Sequence, residues 1–149
     1  MEWFLAGAAL VAALVFVMAR HRSPSSAGPA RSAVSTPVRA YHSRIAGTSQ
    51  RNEDGTKRQT LVAALYEGEE LALVPEPDNP HDANAIAVLD RRGRQLGYLP
   101  AETAKDLRKR FLAENLVATC RVSEITGGTA DKPSYGVNIR IEERRRADD

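Results

Sequence analysis

Ten residues, 75–84, hold three prolines and four Asp or Asn side chains (Pro75, Pro77, Asp78, Asn79, Pro80, Asp82, Asn84), and they constrain the fold more than any other part of the chain. Proline removes backbone donors, and short Asp and Asn side chains bond to their own backbone, so no helix crosses this stretch. Short aliphatic runs flank it, at 71–74 and 85–89. A second turn, Asp90-Arg91-Arg92-Gly93, leads into residues 95–99, which end on Gly97-Tyr98-Leu99-Pro100. Turns this close together leave room for short strands joined by hairpins and tight loops, not for the helical crossovers of a parallel sheet.

The remaining pattern extends that reading. Residues 44–48 are a strand candidate that runs into a polar loop at 50–58, with Asp54-Gly55 as its turn. Leu61, Val62, Leu65 and Tyr66 fall at helical spacing, predicting a short helix over 59–66 that Glu67-Gly68 ends; so brief a run also fits a strand. Pro100 opens a helix that reaches Glu114, since proline is tolerated in a first turn and Glu102 suits an N-terminus. Its buried stripe is expected to be Leu107, Phe111 and Leu112, with Lys105, Arg108, Lys109 and Arg110 in water. Residues 117–125 and 135–141 alternate enough for two final strands around Gly127-Gly128. The fold class expected is mainly β with one or two short helices (α+β), a small barrel or curled sheet.

The N-terminus is of another kind. From Trp3 to Ala19 there is no charge and no strong polar group. As a helix this run would be about 25 Å long, slightly short of a ~30 Å hydrocarbon core. It has no polar face, as a core helix would. Arg20, His21 and Arg22 follow it, which places that side in the cytoplasm. Residues 1–22 are therefore expected to be a single-pass anchor with the N-terminus outside, and 3–19 to meet the lipid bilayer. A cleaved signal peptide is the rival; Val17-x-Ala19 fits its cleavage pattern, but Glu2 replaces the basic start such a peptide has. Residues 23–40, rich in Ser, Pro and Ala, read as a flexible linker, 41–143 as the folded domain and 144–149 as a charged tail.

Charge and composition narrow the function. The 149-residue chain has a formal net charge of +2, yet residues 41–143 hold 14 Lys/Arg against 16 Asp/Glu, a net of −2. Such a domain is not a bulk electrostatic DNA binder, so any nucleic-acid site is local. Cys120 is the single cysteine, which excludes an intrachain disulfide and the usual structural zinc sites. His21, His42 and His81 lack zinc spacing, and Asp78, Asp82, Asn84 and Asp90 lack the spacing and central glycine of a calcium loop. No phosphate-binding glycine loop, nucleophile elbow or His-Glu-x-x-His helix is present. Neither catalysis nor a cofactor is expected; the 78–84 loop with Tyr98 is the binding candidate.

Ile45-Ala46-Gly47, Gly68 to Val74, Glu76 to Val88 and Gly97-Tyr98-Leu99-Pro100 together resemble the HIRAN domain, from about residue 42 to about 142. The resemblance implies an OB-like/SH3-like barrel that binds single-stranded DNA at a free 3′ end. It implies that Asp82 accepts a hydrogen bond from the terminal 3′-hydroxyl and that Asn79 contacts the terminal nucleotide. His81 would stack on a base and Tyr98 would lie near a backbone phosphate. Physically, a carboxylate suits a hydroxyl donor and repels a phosphate, and flat side chains make a sequence-tolerant platform. Arg51, Lys57, Arg58, Arg91, Arg92 and Arg94 are the candidate phosphate contacts. Ser49-Gln50-Arg51 stands where aromatic residues are expected after Gly47, so DNA affinity should be modest and salt-sensitive. Family members are often joined to helicase or nuclease modules, so such an activity would come from a partner chain. Two functions fit: a membrane-tethered nucleic-acid-end binder, or a module that takes a protein segment or small polar ligand in the same pocket.

Overall fold

The computed structural model describes residues 37–114 and 116–146. The expected anchor and all but the last few residues of the expected linker lie outside the described residues. Among the described residues no helix is long and apolar enough to cross a membrane.

Among the described residues six strands and two helices follow one another: β1 (Arg39–Arg44), α1 (Arg58–Ala63), β2 (Glu70–Pro75), β3 (Ile86–Leu89), β4 (Gln95–Tyr98), α2 (Ala101–Glu114), β5 (Leu116–Thr126) and β6 (Gly136–Arg145). The strands form one sheet in the order β1-β6-β5-β2-β3-β4, every pairing antiparallel. Mainly-β architecture with two helices is thus what the turn spacing implied. The sheet curls into a half-barrel whose two ends meet at one point. There Ala46 and Tyr98 exchange backbone hydrogen bonds of 2.7 and 2.9 Å.

That meeting point fixes one glycine. A Cβ on Gly97 would lie 2.2 Å from the carbonyl oxygen of Ala46 and 2.7 Å from a methyl of Ile45. Only a residue without a side chain lets the two sheet ends approach this closely.

Several boundaries differ from the sequence expectation. The first strand is Arg39–Arg44 rather than 44–48: the Ile45 amide still bonds the Val137 carbonyl of β6 at 3.0 Å, but Ala46 crosses to β4 and Gly47 takes a left-handed φ of 75°. Val38 already bonds Glu143 at 2.8 Å, so pairing begins within the segment read as linker. β6 runs on to Arg145, which brings the first two residues of the expected tail into the sheet. α1 begins at Arg58 and is shorter than expected; the 64–66 segment leaves it through tighter turns before Gly68.

The core lies inside the curl. Leu71, Ile86, Val88, Leu96, Val122, Ile139 and Ile141 come from the strands, Leu61 and Val62 from α1, and Ala104 and Leu107 from α2. Phe111 packs at its margin, but Leu112 is 83% exposed and is not part of the buried stripe. It sits about 100° round the helix from Phe111, which turns it out to water. Arg110 also departs from expectation. It is not free in water but forms a two-point ion pair with Glu143, at 2.6 and 3.0 Å, where the carboxylate is 1% exposed. Tyr41 stands beside this pair; burial and then the Glu143 charge push its phenol up to about 12.

Candidate ligand-binding site

The 76–85 loop is held by its own side chains. Asn79 Oδ1 accepts from the backbone N–H of His81 (2.9 Å) and of Asp82 (3.2 Å), and Asp82 Oδ1 accepts from Asn84 N–H (2.8 Å). Backbone bonds from Glu76 to Ala85, Asn79 to Glu76 and Ala85 to Asp82 close the loop at its base. These are the turn-stabilising contacts that short Asx side chains favour. The loop is therefore ordered before any ligand arrives, which lowers the entropic cost of binding.

Between this loop, the 52–56 loop and the β3–β4 turn lies an open recess of about 830 Å³. Asn79, His81 and Tyr98 all line it, so three of the four residues singled out in the sequence share one concavity. Asp82 does not line it; it is half-buried in the turn behind, with Oδ2 unbonded among the described residues. A second concavity of about 860 Å³ includes His42, Arg44, Glu124 and Asn138 on strands β1, β5 and β6, and none of those four residues.

Tyr98 is fixed from three sides. Its backbone forms the Ala46 bridge, its ring lies 5.6 Å from the Arg58 guanidinium carbon, and its hydroxyl donates to Glu76 Oε2 at 3.1 Å. The same oxygen accepts from Asn79 Nδ2 at 2.9 Å. Glu76 thus ties the loop to the end strand. Sequence reasoning gave Glu76 no role of its own, although it heads the Glu76 to Val88 run that carries the resemblance.

The six candidate phosphate contacts separate. Arg58 is 5% exposed and spends its guanidinium on Asn52 Oδ1 (2.7 Å) and the Gly47 carbonyl (3.1 Å), while Asn52 donates on to Gln95. It holds the floor under Tyr98. Arg51 donates to the Gly55 carbonyl and Arg91 to the Tyr66 hydroxyl. Arg94 lines the recess but is paired with Asp90 at 2.8 Å. Lys57 and Arg92 are exposed with no side-chain bond among the described residues, and neither lines the recess. Burial pushes the Asp90 carboxyl up, but hydrogen bonds from Arg94 and Arg92 and the Arg94 charge outweigh it and hold it below the usual range.

The electrostatics of the recess are unlike a phosphate channel. Glu53, Asp54, Glu76 and Asp78 line it against the single arginine. The Asp54 carboxyl, which accepts from the Thr56 amide, is held below its ordinary value and stays ionised. Among the described residues no group of His, Cys, Asp or Glu is arranged to hold a metal ion.

Residues 41–143 match the model of the HIRAN domain. Helicase-like transcription factor of Oryctolagus cuniculus is 39% identical over 70 residues, which are 43% of this chain and 7% of that protein. The chain thus spans a small part of the length of this curated relative. Among solved structures, the HIRAN domain of human HLTF superposes with a TM-score of 0.52 at 20% identity, covering 72% of this chain and 77% of that one. A protein from Lactobacillus plantarum gives 0.52 at 16% identity, over 71% and 98% of the two chains. At such identities these two structures establish the shared fold.

Proposed function

This chain belongs to the HIRAN domain family, and on that footing we propose that its domain binds single-stranded nucleic acid at a free 3′ end. The observation that carries this reading is the gathering of Asn79, His81 and Tyr98 on one preformed recess, with Asp82 in the turn behind them. The exposed His81 imidazole offers a flat face for a terminal base, worth roughly 1–3 kcal/mol in sites of this kind. Asp82 Oδ2, unbonded among the described residues, is the acceptor for the sugar hydroxyl in this reading. Affinity rests on stacking and hydroxyl recognition, because among the described residues Arg94 is the one Lys or Arg that lines the recess, and it is already paired with Asp90.

The uninterrupted apolar run at 3–19, followed by Arg20 and Arg22, supports tethering of this module to the cytoplasmic face of a membrane. A carbonate wash of membranes tests that part: the full-length chain stays with the bilayer, and release into the wash excludes an anchor. Titration of the full chain with 3′-hydroxyl and 3′-phosphate strands tests the ligand. The hydroxyl-ended strand binds tighter; equal binding rejects the proposal. A second reading, a module for a basic protein segment or a small polar ligand, is favoured by the four carboxylates in the recess. It predicts that oligonucleotides fail at physiological salt while a pull-down captures a partner only when Asn79 and Asp82 are intact.

A further inference from the structure

The hydrogen count at Tyr98 decides what the recess can recognise. A phenol has one proton to donate, and an ionised carboxylate can only accept. Tyr98 donates that proton to Glu76 Oε2, so the lone pairs of Oη are what it offers to a ligand. Asn79 has little more to give: Oδ1 takes two backbone amides, and one Nδ2 proton goes to the same Glu76 oxygen. Glu76 Oε1 has no hydrogen bond among the described residues and adds a further acceptor. A phosphate oxygen at this place would meet lone pairs and negative charge.

We infer that Glu76 is a positioning residue for recognition: by holding the Tyr98 proton it makes Tyr98 an acceptor, so this corner of the recess takes a hydrogen-bond donor and turns a phosphate away. This rests on the reading that the recess receives the end of a strand, and it reverses the phosphate-facing part that the family resemblance implied for Tyr98. The donor is a terminal sugar hydroxyl. Strands ending in a 2′,3′-dideoxynucleotide, which keep the base and lose the hydroxyl, should bind wild type and Tyr98→Phe equally well.

The test compares the full chain with Glu76→Gln and Tyr98→Phe. Glutamine keeps the size of the side chain but carries no charge, and its N–H can donate toward Oη and release the phenol proton. The expected result is that the preference for 3′-hydroxyl over 3′-phosphate strands falls about fivefold or more in Glu76→Gln, the scale of one charge-assisted contact. An unchanged ratio overturns the inference. Should Glu76→Gln fail to fold, Tyr98→Phe decides: it weakens the hydroxyl-ended strand by about three- to tenfold, the worth of one hydrogen bond, and leaves the phosphate-ended strand unaltered. Equal loss for both strands overturns the inference.

A second readout needs no strand. On titration with inorganic phosphate, the Asn79 side-chain amide and the Tyr98 backbone amide stay unmoved in the wild-type NMR spectrum and shift in Glu76→Gln. Phosphate-induced shifts of equal size in both proteins contradict the inference. If the wild-type chain binds no strand, the proposed function fails alone, and this titration still decides the part played by Glu76.

Discussion

That Asn79, His81 and Tyr98 would share one concavity was legible in the sequence, because turn chemistry and an aromatic residue two positions before a proline are local signals; that Asp82 would stay outside it was not. Which partners those side chains choose was not visible, since that depends on residues that meet only after the sheet curls. Arg58 shows the difference. By type and position it read as a phosphate contact, yet it lies beneath Tyr98 and bonds Gly47 and Asn52. Arg58→Leu should therefore destabilise the domain by about 1–3 kcal/mol, as Asn52 Oδ1 and the Gly47 carbonyl lose their donor. Urea denaturation measures this; a loss of strand affinity without loss of stability would make Arg58 a ligand contact instead. At Asp90 the sign with pH is fixed. Its carboxyl is depressed in the folded state, so its stabilisation is present above the unfolded carboxylate pKa and fades as pH falls through the lower folded value. Asp90→Asn should cost stability at pH 7, and the gap to wild type should narrow on acidification below about pH 4. A gap that widens in acid would contradict this role for Asp90.

The elements were largely legible wherever hydrophobic period and turn residues agreed, as in β3, β4 and α2. They were misplaced where a long-range contact overrode the local pattern. Ile45 and Ala46 look like strand, but Ala46 leaves β6 for its bridge to Tyr98, so β1 ends at Arg44. Gly97→Ala would force its methyl into the Ala46 carbonyl, costing about 1–3 kcal/mol or more by overpacking and loosening the floor of the recess. Thermal melts read the first effect, and exchange of the Ala46 and Tyr98 amides reads the second. Unchanged protection of both amides would show that the sheet ends are held by something other than this approach. The buried Arg110–Glu143 pair docks α2 on β6, an arrangement sequence reasoning missed by leaving Arg110 in solvent. Arg110→Met should cost about 3–5 kcal/mol by stranding a buried carboxylate, and Arg110→Met/Glu143→Leu should recover much of the loss. A double variant no better than the single one would show that packing, not the stranded charge, sets the cost.

On the scale of the whole molecule, charge balance proved a better guide than any single arginine. The slightly acidic total for 41–143 matches a recess with four carboxylates and one paired cation. On this reading strand affinity should fall with log salt at a slope no steeper than about −1.5, as for two phosphates or fewer. A steep slope would place the strand on Lys57, Arg92 and other exposed cations instead of in the recess. The family and its curled sheet were readable from one loop and its flanks, because those residues shape both the hairpins and the pocket. The most direct measurement of end recognition is a titration of the full chain with strands identical except for a 3′-hydroxyl or a 3′-phosphate, repeated with Asp82→Ala. Wild type should bind the hydroxyl-ended strand tighter, and the variant should show a smaller preference. Indifference of the wild-type chain to the end group would contradict recognition of a free 3′ end.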